Sequence, residues 1–355
     1  ALKAQPVLNS LYAQSARARR RAYGDARRQR HLRRPVVSVG NLRVGGSGKT
    51  PTVACIARTL VDLGERPSIL SRGYARRHAP AGVVVVSDGR RMRADLDASG
   101  DEPLMLARAL EGVPVLVAQD RYLAGVVAEQ HLGATVHLLD DGFQHLPLAR
   151  DVDLLIVSED DLADPRTLPG GRLREPLSAA AAADAVMVPG VSPEAAQQIG
   201  ARLGVAATFG ITRVAEEPRR LDVVSSAAPA SRDIPVYAVA GIARPERFFQ
   251  DLSGDGWALV GTLAWADHHR FDVRDVARIV GAAKSAGAAA LVTTEKDLMR
   301  LLPFRPLALP VIWVPLTVRI EPEDRFRSWL SAKLADARRA PGRRIITDST
   351  AESRP

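Results

Sequence analysis

The sequence predicts an α/β protein with a mainly parallel sheet, because short β-branched runs alternate with helical patterns and the strand runs are continuously apolar. A second α/β series, after a stretch of weak periodicity, predicts a second, smaller domain. An apolar stripe followed by clustered arginines predicts an amphipathic helix at the amino-terminal end. Of the 355 residues, 46% are hydrophobic and 25% charged, which excludes a wholly disordered, collagen-like or coiled-coil chain. The single cysteine, Cys55, can make neither an internal disulfide nor a Cys-based zinc site, so a reducing compartment fits. No run of about 18 apolar residues occurs, so neither a membrane span nor an exported chain is expected.

Taken in order, Pro6 suits the first turn of a helix, with Leu8, Leu11 and Tyr12 on one stripe. Nine arginines then fall between Arg17 and Arg34, against the single acid Asp25, so the net charge of +9 is concentrated there and points to an anionic partner. Strands are expected at 36–39, 68–70, 83–86, 113–117, 136–139 and 154–157, with helices at 50–63, 103–110 and 122–131. An alanine run at 179–183 leads into a strand at 185–188 and a helix at 193–203. The second series has strands at 236–240, 257–263, 289–293 and 311–314, with helices from Pro245, at 273–286 and from Pro322 to about Ala335. The expected units are 1–34, 35–212, a linker at 213–232, a smaller α/β unit at 233–337 and a disordered tail at 338–355.

The string VVSVGNLRVGGSGKTPT, residues 36–52, runs from an apolar strand through a glycine-rich turn to Lys-Thr at a helix start, the context of a P-loop NTPase-type sheet. Gly45, Gly46 and Gly48, with Ser47, would let backbone N–H groups curl round phosphate oxygens. Lys49 would reach the β- and γ-phosphates of ATP, and Thr50 would offer its hydroxyl to Mg²⁺. The strict pattern has glycine where Arg43 stands, and the nearest upstream glycine is Gly40. VHLLDDGFQH, residues 136–145, ends a strand in Asp140 and Asp141, a pair suited to Mg²⁺ or its waters, or else a plain Asp-Asp-Gly turn. Asp101 in GDEP can cap a helix or serve chemistry. Asp267, His268 and His269 in WADHHRF can orient a general base or cap the next helix. The chain has only five lysines, Lys3, Lys49, Lys284, Lys296 and Lys333, which draws attention to each.

Together, SVGNLRVGGSGKTP, SRGY, GDEP, LLDDGFQH, PGGRLREP, VAGIARPERF, ADHHRF and TTEKD, in this order across residues 7–330, resemble the tetraacyldisaccharide 4'-kinase family of Gram-negative bacteria. The resemblance implies ATP- and Mg²⁺-dependent phosphorylation of the 4'-hydroxyl of a tetraacylated disaccharide 1-phosphate, a lipid A precursor, giving lipid IVA at the cytoplasmic face of the inner membrane. It implies that 35–212 is the kinase domain and that 1–34 is a peripheral membrane-association element on an anionic surface. It implies catalytic roles for Asp101, His268 and Lys49, and metal contacts from Thr50, Asp140 and Asp141. Tyr74 is implied on the nucleotide side, and Arg72, Gln144, His145, Arg174 and Glu175 on the acceptor side. It also removes the difficulty at Arg43, since the family lacks a glycine there.

The loop alone is equally compatible with a P-loop ligase or synthetase, or with a switch or partitioning ATPase using its basic end. Nucleic acid is not expected as a partner, because the arginine run carries only Tyr12 and Tyr23 for stacking. Oligomeric state is not legible.

Overall fold

The computed structural model describes residues 5–45, 48–74, 76–78, 81–221, 227–229 and 231–340. Gly46 and Ser47 of the expected phosphate loop, and 341–355 of the expected tail, lie outside the described residues.

The first helix, α1 (Gln5–Ala22), is followed by β1 (Val36–Asn41), α2 (Lys49–Asp62), β2 (Pro67–Ser71), β3 (Val84–Asp88), α3 (Leu96–Ser99), α4 (Asp101–Ala109), β4 (Pro114–Val117), α5 (Arg121–His131) and β5 (Val136–Asp140). Next come β6 (Val152–Ile156), α6 (Glu159–Ala163), β7 (Ala185–Pro189), α7 (Pro193–Leu203), β8 (Ala207–Ala215), β9 (Arg219–Leu221) and β10 (Ala227–Pro229). The remaining elements are β11 (Val236–Ala240), α8 (Pro245–Gly254), β12 (Leu259–Ala264), α9 (Val273–Ser285), β13 (Ala290–Thr294), α10 (Glu295–Leu301), β14 (Val311–Val314), β15 (Leu316–Glu321) and α11 (Glu323–Arg339).

The large sheet has the order β15-β8-β7-β6-β1-β5-β2-β4-β3 and is parallel except at its two edge pairs. All six residues of β1 are buried, as expected of a central strand with helices on both faces. The second sheet, β10-β9-β14-β13-β11-β12, is parallel through β14, β13, β11 and β12. One hydrophobic cluster runs from Val37, Ile56 and Leu106 of the first unit to Val239, Leu298 and Met299 of the second. The helices α4 and α10 pack across the junction.

The structure redraws three expected boundaries. The helix of 1–34 ends at Ala22, where Gly24 follows and Asp25 accepts from Arg27 N to cap a short 3-10 turn. Beyond it, Leu32 is buried against α5 beneath Gly125, so the arginines after Tyr23 are not helical face. The expected linker 213–232 is strand wherever an element is described: β8 extends to Ala215 in the large sheet, while β9 and β10 join the second. The unit expected at 233–337 yields β15 and α11 to the large sheet, where α11 buries Phe326, Leu330 and Leu334, with Phe326 edge-on to Phe209. The reason lies in β15 itself, a half-exposed edge strand without a continuous apolar run.

Candidate active site

At the carboxyl end of β1 the chain must pass close to the segment after β5. A Cβ on Gly40 would lie 2.5 Å from Phe143 Cβ, so only glycine fits. Gly48 caps α2 with φ +77 and no side-chain cap, leaving the amide groups of the first turn open toward the loop. Lys49 donates to Asn41 Oδ1 at 3.0 Å and stands 3.4 Å from Asp141 Oδ1. Thr50 is half-buried in the same turn. Arg43 points away from the loop: its Nε is 3.3 Å from Asp161 Oδ1 and its Nη1 donates to Ser158 Oγ at 3.3 Å. The loop therefore accommodates an arginine where the strict motif has glycine.

Asp140 ends β5, buried, accepting from Ser71 Oγ at 3.3 Å. Burial, then the nearby charges of Glu102 and Asp141, push its carboxyl up to about 7, against the opposing pull of Lys49. Asp141 adopts φ 54 and is held bidentately by Arg174, at 2.7 and 2.9 Å. Burial raises the Asp141 carboxyl, but the hydrogen bonds from Arg174 and the Lys49 charge outweigh it and hold the group at about 2. No group of three or more His, Cys, Asp or Glu side chains able to hold a metal occurs among the described residues. Mg²⁺ does not require one, since it takes one or two carboxylates and completes its shell with water and phosphate. A buried carboxylate crowded by two other acids fits such an ion.

Asp101 and His268, 167 positions apart, meet between the two units, with His268 Nδ1 3.3 Å from Asp101 Oδ2. Asp101 does not cap α4: the cap is Gly100, without a side-chain bond, and Asp101 is the first helical residue, its Oδ1 accepting from Glu102 N at 3.0 Å while Oδ2 faces the site. His268 adopts φ 61; it and Asp141 are the only non-glycine residues with positive φ among the described residues, and both line this region. Asp267 does not cap α9; Asp272 does, in a capping box. Asp267 Oδ1 instead accepts from His268 N at 2.9 Å. His269 is bound to Asp275 at 2.8 Å and stacked on Trp265, away from Asp101. Tyr74, expected on the nucleotide side, has its ring edge-on to His268 at 5.1 Å.

Two residues from TTEKDLMR join this site, neither of them singled out for a role from the sequence. Lys296 Nζ lies 3.2 Å from His268 Nε2 and 3.4 Å from both Glu102 and Asp267. Arg300 reaches Asp101 from α10. The short α10, with acids and bases intermixed, carries no periodic signal of its own, and only the unusual scarcity of lysine flagged Lys296.

Beside Asp141 and Arg174 lies a cavity of about 560 Å³ between α1 and the segments that follow β2, β4 and β5. Its walls include Arg19, Arg72, Arg121, Arg174, Gln144 and His145. Its two acids are already engaged, Asp141 by Arg174 and Glu175 by Arg20 of α1 at 2.8 Å. Arg19, Arg72 and Arg121 have no carboxylate partner among the described residues. Burial brings the Arg121 guanidinium down to about 10. Burial, reinforced by Arg121 and Arg150, drives His145 down to about 3, so the ring is neutral and its Nδ1 accepts from Arg121 Nη1 at 2.8 Å. Arg121 Nε, Gln144 Oε1, His145 Nε2 and Arg174 Nε are buried without a hydrogen-bond partner. Such orphans are costly; an anionic ligand would satisfy the three N–H donors, on Arg121, His145 and Arg174, and a ligand hydroxyl would satisfy Gln144 Oε1.

Residues 5–335 match the family described as LpxK: Tetraacyldisaccharide-1-P 4'-kinase. A protein of Desulfotalea psychrophila named tetraacyldisaccharide 4'-kinase is 38% identical over 309 residues, covering 83% of this chain and 86% of that protein. One of the same name from Nitrobacter winogradskyi is 42% identical over 313 residues, covering 86% and 87%. Among solved structures, the "apo" form of LpxK from Aquifex aeolicus in complex with ATP is similar with a TM-score of 0.74 and 30% identity, over 92% of this chain and 97% of that one.

Proposed function

The chain belongs to the tetraacyldisaccharide 4'-kinase family, and from that premise we propose how its residues move a phosphoryl group from ATP to the 4'-hydroxyl of a tetraacyldisaccharide 1-phosphate. The activity itself, a kinase step of lipid A biosynthesis, follows from family membership, which sets aside the synthetase and switch-ATPase alternatives.

In our reading the triphosphate lies on the glycine loop and the open amides of α2, with Lys49 on the β- and γ-phosphates; that a similar structure is in complex with ATP supports ATP as the ligand. Thr50, Asp140 and Asp141 would hold Mg²⁺, which when bound supplies positive charge to the phosphoryl oxygens. In our reading Nδ1 of His268 carries its proton toward Asp101 Oδ2, 3.3 Å away and not yet a formed hydrogen bond, which would leave Nε2 as the proton acceptor. As the 4'-oxygen bonds to the γ-phosphorus, its proton passes to His268 Nε2. The bond to the β–γ bridging oxygen breaks, and the electron pair leaves with ADP beside Lys49. Lys296 rests against Nε2 without acceptor, so the hydroxyl must take its place.

The headgroup of the acceptor would occupy the arginine-lined cavity, where Arg19, Arg72 and Arg121 offer unpaired charge to its 1-phosphate. Its acyl chains would stay in the bilayer. The peripheral attachment we propose, at the cytoplasmic face of the inner membrane where ATP is available, uses α1. Val7, Leu8 and Leu11 are exposed on one face, while Asn9 and Arg20 tie the helix to Gly170, Thr167 and Glu175. No helix among the described residues is long and apolar enough to cross a membrane. Each arginine near an anionic surface contributes about 1 kcal/mol, so the exposed Arg17, Arg21, Arg27 and Arg28 together would raise partitioning roughly a thousandfold.

The observation that carries the mechanism is the Asp101–His268 pairing, made by residues from different units beside the phosphate loop. The test is transfer of labelled phosphate from ATP to the lipid acceptor in detergent micelles. His268→Ala should lower kcat about 10²–10⁴-fold with little change in the KM for ATP. A wild-type kcat would overturn the assignment of the base.

A further inference from the structure

We infer that Arg300 is a positioning residue for the transfer: from the second unit it grips the carboxylate of Asp101, in the first, and so sets the orientation of His268. The inference rests on the Asp101–His268 reading above. Asp101 is 5% exposed and Arg300 3%. Arg300 Nε donates to Asp101 Oδ2 at 3.0 Å and Nη2 donates to the same oxygen. Its Nη1 is committed within its own unit, to Gly241 O at 2.7 Å and Asp297 Oδ1 at 2.8 Å. Asp297 is itself fixed by Gly241 N at 2.9 Å and Thr294 Oγ1 at 2.8 Å. The guanidinium is therefore clamped behind before it reaches across.

The distribution of contacts on Asp101 argues for orientation rather than cohesion. Oδ1 is held by Glu102 N, so both oxygens are restrained. Oδ2 takes Arg300 on one side and faces His268 Nδ1 on the other. Lys296 cannot substitute, since it lies 4.0 Å from Asp101 and is divided among Glu102, Asp267 and His268. As cohesion, the pair is a poor choice. Burying two charges costs several kcal/mol each, and well-packed apolar side chains hold helices together as well. What an apolar pair cannot do is present a carboxylate at one angle, and a planar fork anchored at its far nitrogen does this where a lysine cannot.

The charged groups around Asp101 are Arg300 and Lys296 from α10, His268 from the loop before α9, and the acids Glu102, Asp267 and Asp297. Burial pushes the Asp101 carboxyl up, while His268, Lys296 and Arg300 together hold it well below the usual carboxylate range. Without Arg300, burial and the three acids gain ground, and Asp101 takes up a proton at higher pH.

The test compares Arg300→Lys, Arg300→Met, Asp101→Asn, His268→Ala and the Asp101→Asn/Arg300→Met double variant, by steady-state kinetics from mildly acid to alkaline pH. Arg300→Lys, keeping charge but losing the fork, should lower kcat on the order of 10-fold, and Arg300→Met on the order of 10²-fold, with the KM for ATP unchanged. The acid limb of kcat should move to higher pH in Arg300→Met and much less in Arg300→Lys. In the Asp101→Asn background, Arg300→Met should add little, because its route to the chemistry is already gone. If Arg300→Met does not fold, Arg300→Lys and the double variant, which leaves no unpaired carboxylate at Asp101, carry the comparison. A wild-type kcat and pH profile in the Arg300 variants, with His268→Ala impaired, overturns this inference alone. Fully multiplicative losses in the double variant overturn it too. A His268→Ala enzyme with wild-type kcat instead removes the reading beneath it.

Discussion

Replacing Asp140 with asparagine should stabilise the nucleotide-free protein while nearly abolishing turnover. Asp140 is buried at the end of β5, and burial, Glu102 and Asp141 raise its carboxyl from the ordinary 3.8 to about 7. That displacement corresponds to about 4 kcal/mol against the ionised form. The sign follows from proton binding. Between the ordinary carboxylate range and about pH 7 the folded protein holds a proton that the unfolded chain has released, so stability falls as pH rises through that window. Above it the whole cost is present. Asparagine has no charge to bury, so the variant should match the wild type at acid pH and exceed it by up to about 4 kcal/mol at alkaline pH. The measurement is urea unfolding of both proteins with chelator present and nucleotide absent, at acid and alkaline pH. Mg²⁺ with ATP should then stabilise the wild type far more than the variant, since the carboxylate is what the ion needs. A stability difference independent of pH, or a variant less stable at alkaline pH, would refute the electrostatic argument. Equal stabilisation of both by Mg²⁺ and ATP would remove Asp140 from the metal end.

Two further outcomes follow from the cavity and from α1. Arg121→Gln removes a buried guanidinium without a carboxylate partner; hydrogen bonds to charged groups contribute about 1.5–3 kcal/mol, so the KM for the lipid acceptor should rise about 10- to 100-fold while that for ATP stays put. An unchanged acceptor KM would move the 1-phosphate elsewhere. Changing Val7, Leu8 and Leu11 together to serine should weaken cosedimentation with anionic vesicles about 100-fold or more, from the apolar surface lost, and leave turnover on micellar substrate nearly intact. Unaltered cosedimentation would place the membrane contact on another face.

The parallel strands were legible because each is covered on both faces and so reads as a short apolar run: β1, β5 and β6 are buried at every position. The elements that escaped are those with one wet side. β15 buries only Ile320 of its six residues next to β8, and β9 carries Arg219 and Arg220, so neither resembles a core strand. Lys49 stands 3.4 Å from Asp141, and that it would lie beside the Asp140–Asp141 pair was legible, because a glycine-rich loop and a strand-end acid pair are local patterns. Arg300 and Lys296 were not, because their meaning depends on Asp101 and Glu102, about 200 positions upstream, coming to meet α10. Glu175 and Arg174 were expected to face the acceptor; both line the cavity, yet without ligand Glu175 is bound to Arg20 and Arg174 to Asp141 and Asn41. Local sequence cannot disclose a partner 155 residues away.

These same pairs give the site a physical continuity from α1 to the phosphate loop. Arg20 of α1 holds Glu175, donates to Phe143 O at 3.3 Å and lies over the Phe143 ring at 4.3 Å. The adjacent Arg174 holds Asp141 and donates to Asn41 Oδ1 at 2.5 Å, the oxygen that also accepts from Lys49. The acids that would repel an anionic acceptor are thus neutralised from within the protein, while Arg19, Arg72 and Arg121 are left without carboxylate partners at the cavity wall. Each buried donor without an acceptor costs about 1–3 kcal/mol, which is what an anionic ligand would offset here. An acidic headgroup bound there, as proposed, would meet α1 directly, because Arg19 and Tyr12 form part of the wall. Under the proposed attachment, the helix that would meet the lipid surface is therefore also a wall of the proposed acceptor site, so substitutions on its two faces separate the two roles: Val7, Leu8 and Leu11 on the exposed face, Tyr12 and Arg19 at the cavity.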